Sequence, residues 1–326
     1  MNQPETLAII VPCCNEEPVI CETTRQLTAM LDKLSGRGLV APESYILYVD
    51  DGSSDNTWDI ITQLRQADRR VCGISLAANV GHQNALLAGL ATAKDSADIT
   101  VTIDADLQDD VQAIERMVEK RNEGYDIVYG VRSSRESDTW LKRHTATSFY
   151  KLMRRFGVKS VYNHADYRLM TKRAVRQLCL YRERNLFLRG MVPLIGYRTA
   201  CVEYARKPRL AGESKYPLGK MLDFAIDGIT SFSVKPVRMI FYLGVAFIII
   251  ALAILAYVLY AYICGTTAPG WSSLMLSVWF CSGCVLMGIG VIGEYLGKIY
   301  LEVKDRPRYN IDKTLINDDN QSDARL

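Results

Sequence analysis

Two uncharged apolar runs close to the C-terminal end of this 326-residue chain, Met239–Ile263 (25 residues) and Trp271–Gly293 (23 residues), constrain it most. As a helix, either run is long enough to cross the hydrocarbon core of a bilayer, about 30 Å thick. Their length, continuity and basic flanks argue against core helices of a soluble protein. The residues before them read as a soluble enzyme, so the expected architecture is a catalytic region tied to a membrane by a C-terminal two-helix transmembrane hairpin. Such an arrangement implies one water-soluble substrate and one lipid.

The net charge of +3 conceals an asymmetry. Residues 1–130 carry 10 Lys/Arg against 21 Asp/Glu, residues 131–240 carry 23 against 8, and residues 241–326 carry 6 against 7. An acidic first part suits cation binding, and a basic stretch beside a membrane suits phosphates or anionic headgroups. Lys235 and Arg238 precede the first run, and Lys298, Lys304, Arg306 and Arg308 follow the second. The loop between the runs, Cys264–Gly270, is uncharged. The positive-inside rule then places both ends in the cytoplasm. Met1–Thr6 lacks the basic and apolar character of a signal peptide, in keeping with a cytoplasmic catalytic region. The nine cysteines show no disulfide spacing, and Cys281 and Cys284 read as small packing residues.

The first 130 residues alternate short β-branched runs with helically spaced apolar residues. Leu7–Pro12, Ser44–Asp50, Val71–Leu76, Asp98–Asp104 and Tyr125–Arg132 are predicted strands, and Glu17–Ser35, Asn56–Ala67, Gly81–Ala93 and Val111–Glu123 predicted helices. This order implies an α/β fold, a Rossmann-like, mostly parallel sheet with helices on both faces. Ligands bind such sheets at the carboxyl ends of the strands, which selects Pro12–Glu17, Asp50–Asn56, Asn79–Asn84 and Asp104–Gln108. Further on, amphipathic helices are expected at Asp138–Phe156 and at Tyr216–Pro236, the latter either lying in the membrane interface or soluble, and Asn310–Leu326 is expected to be disordered.

Asp104-Ala105-Asp106 ends a predicted strand, where two carboxylates two residues apart can share a hard divalent cation with substrate phosphates. Asp50-Asp51-Gly52-Ser53-Ser54-Asp55 ends another. Capping by Ser53, Ser54 or Asp55 accounts for part of that stretch but leaves Asp50 and Asp51 unexplained. His82 beside a helix start is read as a packing or polar support residue in preference to a general base.

These segments, with Val11–Glu17 and Asn79–Gln83, resemble the inverting, nucleotide-sugar-dependent glycosyltransferases of family 2, which have the GT-A fold. Asp166–Met170, Asn185–Gly190 and Arg209-x-x-Gly212-x-Ser214-Lys215-Tyr216 look like the polyprenyl-phosphate branch, which includes bactoprenol glucosyltransferases and dolichyl-phosphate mannose synthase. The resemblance implies a nucleotide site at Pro12, Glu16, Asp50, Asp51 and Asp104, with Mg²⁺ or Mn²⁺ on Asp104 and Asp106. It implies catalytic roles for Asp106, Gln108, Arg209 and Lys215, and a lipid-phosphate site at Arg132, Arg168, Arg209, Ser214 and Lys215. Relatives commonly carry Tyr at the position of Cys14, so an aromatic contribution to the nucleotide pocket is not expected.

The implied reaction moves one hexose or N-acetylhexosamine, glucose or N-acetylglucosamine first, from a UDP-sugar to undecaprenyl phosphate for cell-envelope glycosylation. Aminoarabinose or mannose transfer, and a membrane-anchored nucleotide-binding scaffold without activity, are the alternatives. The expected divisions are a catalytic domain at 1–210, interface helices at 211–238, two transmembrane helices at 239–297 and a cytoplasmic tail at 298–326. A multi-pass protein of the bacterial inner membrane is implied, with a homo-oligomer, a tetramer by resemblance. A lipid-sugar flippase and an extracytoplasmic glycosyltransferase would be its functional partners, and no nucleic acid is expected.

Overall fold

The computed structural model describes residues 3–133, 164–183, 187–205 and 270–316, with scattered positions between 237 and 264. They fall into two compact units, one holding the sheet and residues 306–316, the other containing residues 270–305.

In the first unit, β1 (Leu7–Cys13), β2 (Tyr45–Asp50), β3 (Val71–Leu76) and β4 (Ile99–Thr102) are parallel, with every residue of β1 buried. Its Leu-Ala-Ile-Ile-Val run suits a central strand covered on both faces. Helices α1 (Ile20–Gly36), α2 (Thr57–Ala67), α3 (His82–Ala93) and α4 (Ala113–Asn122) connect the successive strands. In α1 the buried residues Ile20, Thr23, Thr24, Leu27, Met30, Leu31 and Leu34 form one stripe at helical spacing. β5 (Ile127–Arg132), β6 (His164–Thr171), β7 (Thr199–Tyr204) and β8 (Ile311–Leu315) complete an eight-stranded sheet of order β7-β5-β6-β4-β1-β2-β3-β8. Short helices α5 (Lys172–Cys179) and α6 (Leu188–Met191) and a 3-10 turn (Val192–Ile195) lie between β6 and β7. The five predicted strands and four predicted helices of the first 130 residues all form, with ends moved by at most three residues.

The sheet is mostly parallel as expected, with β6 antiparallel between β4 and β5. One feature departs from the sequence reading. Residues expected to be disordered after Asn310 contribute β8, antiparallel to β3, with the Ala77 amide donating to the Asn310 carbonyl at 2.9 Å. An uncovered β3 would leave a row of backbone donors and acceptors unpaired, and β8 pairs them despite its polar composition. Leu315 also packs on the core.

In the second unit, α7 (Trp271–Val303) runs 33 residues, past the predicted end at Gly293 and through Glu294, Lys298 and Glu302. Its stretch Phe280–Val303 is long and apolar enough to cross a membrane. Large apolar side chains around it, including Leu286, Met287, Ile289 and Leu296, are exposed. The described positions of the first apolar run are helical, and a Cβ on Gly288 of α7 would lie 3.3 Å from Ile240 Cγ2. The predicted helices at 138–156 and 216–236 lie outside the described residues.

Gly89 sets how closely α3, the helix that begins at His82, lies on the sheet. A Cβ there would lie 2.4 Å from Ile10 Cγ2 and 2.8 Å from Val49 Cγ2, so the helix backbone sits directly on β1 and β2. Gly89→Ala is expected to destabilise the protein by about 1–3 kcal/mol through overpacking. Denaturant unfolding of the first unit, followed by its tryptophan fluorescence, would measure this, and an unchanged midpoint would contradict the close approach.

Candidate active site

The loops at the carboxyl ends of β1, β2 and β3 are interlaced. Asn15, at φ 57°, accepts through Oδ1 from the Ser54 and Asp55 amides at 2.8 and 3.3 Å. The Glu16 amide donates to Thr57 Oγ1 at 3.0 Å. Asp50 accepts from the Ser53 amide and Ser75 Oγ, and Asp51 accepts from the Val80 and Gly81 amides at 2.7 and 3.0 Å. Gly52, at φ +63°, admits the β3–α3 loop, since a Cβ would lie 2.6 Å from the Asn79 nitrogen. Asp50 and Asp51 are both buried and hold neighbouring loops in register. Burial pushes the Asp51 carboxyl up, and its two backbone donors oppose the shift. Pro12 is buried inside β1, and Cys14 Sγ lies 3.2 Å from Asn79 Nδ2.

The second cluster forms around β4 and β6. Their antiparallel register ends with Thr102 paired with Arg168, which leaves Asp104 and Asp166 just beyond the ladder, both within reach of His82. His82, brought in by the start of α3, lies with Nε2 3.6 Å from Asp104 Oδ1 and 3.8 Å from Asp166 Oδ2. It therefore faces the acidic cleft instead of packing under the helix. Its neighbour Gln83 donates to Asp166 Oδ2 at 3.3 Å and accepts from the Leu188 amide at 3.0 Å. Arg189 reaches the same Asp166 oxygen at 2.9 Å, and Arg168 binds Oδ1. Desolvation alone would raise the Asp166 carboxyl, but the charges of Arg189, Arg168 and His82 hold it far below the usual range.

Arg168, expected at the lipid phosphate, is only 2% exposed and donates to Asp166 and the Leu188 carbonyl. It is committed to the interior, because a buried guanidinium needs a paired carboxylate and filled donor sites. Asp166 and Arg189 were not selected from the sequence. The available signal was Asp166-x-Arg168 leading into Leu169 and Met170, two charges on one strand face that burial would oblige to pair. Arg132, at the end of β5, is partly exposed and lies 3.4 Å from Asp109. Arg209, Ser214 and Lys215 lie outside the described residues.

Asp104 and Asp106 share the β4–α4 loop with Gln108, whose amide donates to Asp106 Oδ1 at 3.1 Å. Desolvation pushes Asp104 up to about 6; His82 opposes the shift, while Asp109, Asp166 and Asp106 add to it. Among the described residues no three His, Cys, Asp or Glu side chains form a complete metal cage. Two carboxylates in a like-charged cleft do fit a hard divalent ion that completes its shell with phosphate oxygens and water.

The raised carboxyl has a measurable consequence. A group at about 6 in the fold and near 3.8 in the unfolded chain penalises folding fully above about pH 6 and not at all below about pH 4. Asp104→Asn should therefore raise the melting temperature of the chelator-treated protein at about pH 7.5 and leave it unchanged near pH 4. A less stable variant at the higher pH would contradict the assigned desolvation and repulsion.

The glycosyl transferase family 2 model matches residues 8–179. An uncharacterized glycosyltransferase of Bacillus subtilis, YkoT, is 53% identical over 97% of this chain and 94% of that protein. The SfII prophage-derived bactoprenol glucosyl transferase of Shigella flexneri is 39% identical over 94% of this chain and 98% of its own length. The UDP complex of glucosyl-3-phosphoglycerate synthase from Mycobacterium tuberculosis is 18% identical over 70% of this chain and 79% of that one, with a TM-score of 0.46, too loose a likeness to place any site residue. By its own motifs and by identity along nearly its whole length, this chain belongs to glycosyl transferase family 2.

Proposed function

We propose that this protein transfers a single hexose or N-acetylhexosamine, with glucose or N-acetylglucosamine favoured, from a UDP-sugar to undecaprenyl phosphate at the cytoplasmic face of the bacterial inner membrane. The observation that carries the reading is the apposition of Asp104 and Asp166 at the carboxyl edge of the sheet, with Arg189 and Arg132 on the same side. An acidic loop suited to a cation-bound diphosphate thus adjoins cationic side chains suited to a second phosphate. The bactoprenol glucosyl transferase relative, similar along nearly all of both chains, supports the lipid acceptor. A 33-residue helix with apolar side chains exposed around it supports residence in a membrane.

In this reading the catalytic domain ends near residue 210, interface helices occupy 211–238 and a multi-pass anchor 239–297. Asp104 and Asp106 would hold Mg²⁺ or Mn²⁺, which when bound would supply Lewis-acid neutralisation of negative charge on the departing nucleotide. Pro12, Glu16, Asp50 and Asp51 form or support the wall beside the nucleoside. Gln108 orders the loop and lies within reach of the acceptor. Arg132 binds the lipid phosphate together with Arg209, Ser214 and Lys215, while Arg168 acts indirectly by fixing Asp166. The lipid phosphate is already anionic near neutral pH, so alignment and charge neutralisation carry the step, and attack opposite the leaving UDP inverts the sugar carbon.

The decisive assay incubates a panel of labelled UDP-sugars with undecaprenyl phosphate and the full-length protein in detergent. One lipid-linked monosaccharide is expected, abolished by chelator and restored by Mn²⁺ or Mg²⁺. Asp106→Ala should lower transfer by on the order of 100-fold or more while the protein stays folded. Polymeric product would indicate a processive synthase, and UDP binding without transfer would indicate a scaffold. Aminoarabinose or mannose transfer would keep the chemistry and change the donor.

A further inference from the structure

The loop that follows β4 carries more anchoring than its two metal-facing carboxylates require. Leu107 sits at φ 54°, a left-handed conformation unfavourable for a non-glycine residue. Its side chain is buried, as is that of Ala105. Such a conformation persists only where surrounding contacts over-determine it.

Three hydroxyls from three other elements supply those contacts. Thr23 of α1 donates to the Ala105 carbonyl at 2.7 Å. Tyr167 of β6 donates to the Asp110 carbonyl at 3.0 Å. Tyr204, the last residue of β7, donates to Asp109 Oδ1 at 2.6 Å. Asp109 and Tyr204 are each 2% exposed, and the two tyrosine rings meet edge to face with centroids 5.3 Å apart. Arg132 Nη2 approaches the same Asp109 oxygen at 3.4 Å, and its Nε donates to Tyr204 Oη at 3.4 Å. Burial first, and the charge of Asp109 next, push both phenols up, so both remain O–H donors at any working pH. Asp109 has no part in the proposed chemistry and is nonetheless a buried carboxylate, an expensive group to retain without a purpose.

We infer that Tyr204 and Tyr167 are positioning residues that clamp the β4–α4 loop in its metal-ready shape before the cation arrives, Tyr204 through Asp109 and Tyr167 through the Asp110 carbonyl. The clamp rests on the proposed metal role of Asp104 and Asp106. Without the Tyr204 hydroxyl, Asp109 keeps only the longer contact to Arg132, and the loop relaxes toward an ordinary backbone conformation at Leu107. Part of the metal-binding free energy is then spent on rebuilding the loop.

The test compares wild type with Tyr204→Phe, which removes one oxygen atom and keeps the ring packing. Mn²⁺ binding to the full-length, UDP-saturated protein is followed by the loss of the free-ion paramagnetic signal. A weakening of roughly ten- to 100-fold is expected, the value of one buried hydrogen bond to a charged group. In metal-free protein, amide hydrogen exchange across residues 103–112 should quicken while the melting temperature changes little. Turnover should recover to the wild-type level at saturating Mn²⁺. Unchanged Mn²⁺ affinity with unchanged exchange would overturn the clamp, as would a loss of turnover that excess metal does not restore. If Tyr204→Phe fails to fold, Tyr167→Phe decides by the same three readouts. A wild-type protein that binds no Mn²⁺ removes the metal reading itself, and the clamp with it. Wild type and variant binding Mn²⁺ equally removes the clamp alone.

Discussion

The arrangement of charge at the carboxyl edge depends on one strand running the opposite way to its neighbours. β6 enters the sheet antiparallel between β4 and β5, so its first residues lie beside the last residues of β4. Asp166 thereby meets Asp104, and the arginines tied to Asp166 come with it. A parallel strand in that place would carry Asp166 to the other end of the sheet. The carboxylates Asp104, Asp106, Asp109 and Asp166 would otherwise form a cluster of like charge with little relief. Within the protein Asp166 is paired with Arg168 and Arg189, Asp109 with Arg132, and His82 lies beside Asp104. Desolvation raises the Asp104 carboxyl, and the neighbouring carboxylates add to the shift against the opposing charge of His82.

The site divides into rigid and responsive parts. Asp50 and Asp51 spend their oxygens on backbone amides and a serine hydroxyl of adjacent loops, making the β1, β2 and β3 tips a single wall. Such a wall is suited to receiving a flat nucleoside without reorganising. The β4–α4 loop, by contrast, holds a strained residue and depends on hydroxyls from α1, β6 and β7. Its geometry is a property of the whole sheet, and distant changes in β7 should be felt at Asp104 and Asp106.

Much of this protein was legible along the chain because its signals are local. A run such as Leu7–Val11 can only be a strand buried on both faces, and the stripe from Ile20 to Leu34 can only be a helix lying on it. Aspartates after such strands fall at the carboxyl ends by topology alone, so Asp104 and Asp106 could be selected without coordinates. Arg168 shows the limit. The family resemblance implied phosphate binding, but whether a strand residue faces solvent or core depends on what covers the sheet, and here Asp166 and Leu188 enclose it. β8 was missed for a related reason, since Ile311–Leu315 becomes a strand only because β3 offers an open edge.

The order of residues alone determined the α/β alternation, the carboxylate-rich strand ends and the apolar C-terminal helix, since each follows from periodicity or composition over a few turns. Tertiary structure decided the partners: the antiparallel entry of β6, the Asp166 cluster, the hydroxyls fastening the β4–α4 loop and the returning strand β8. Those contacts join residues tens to hundreds of positions apart, and pairing at that separation is set by packing and register, which no local pattern encodes.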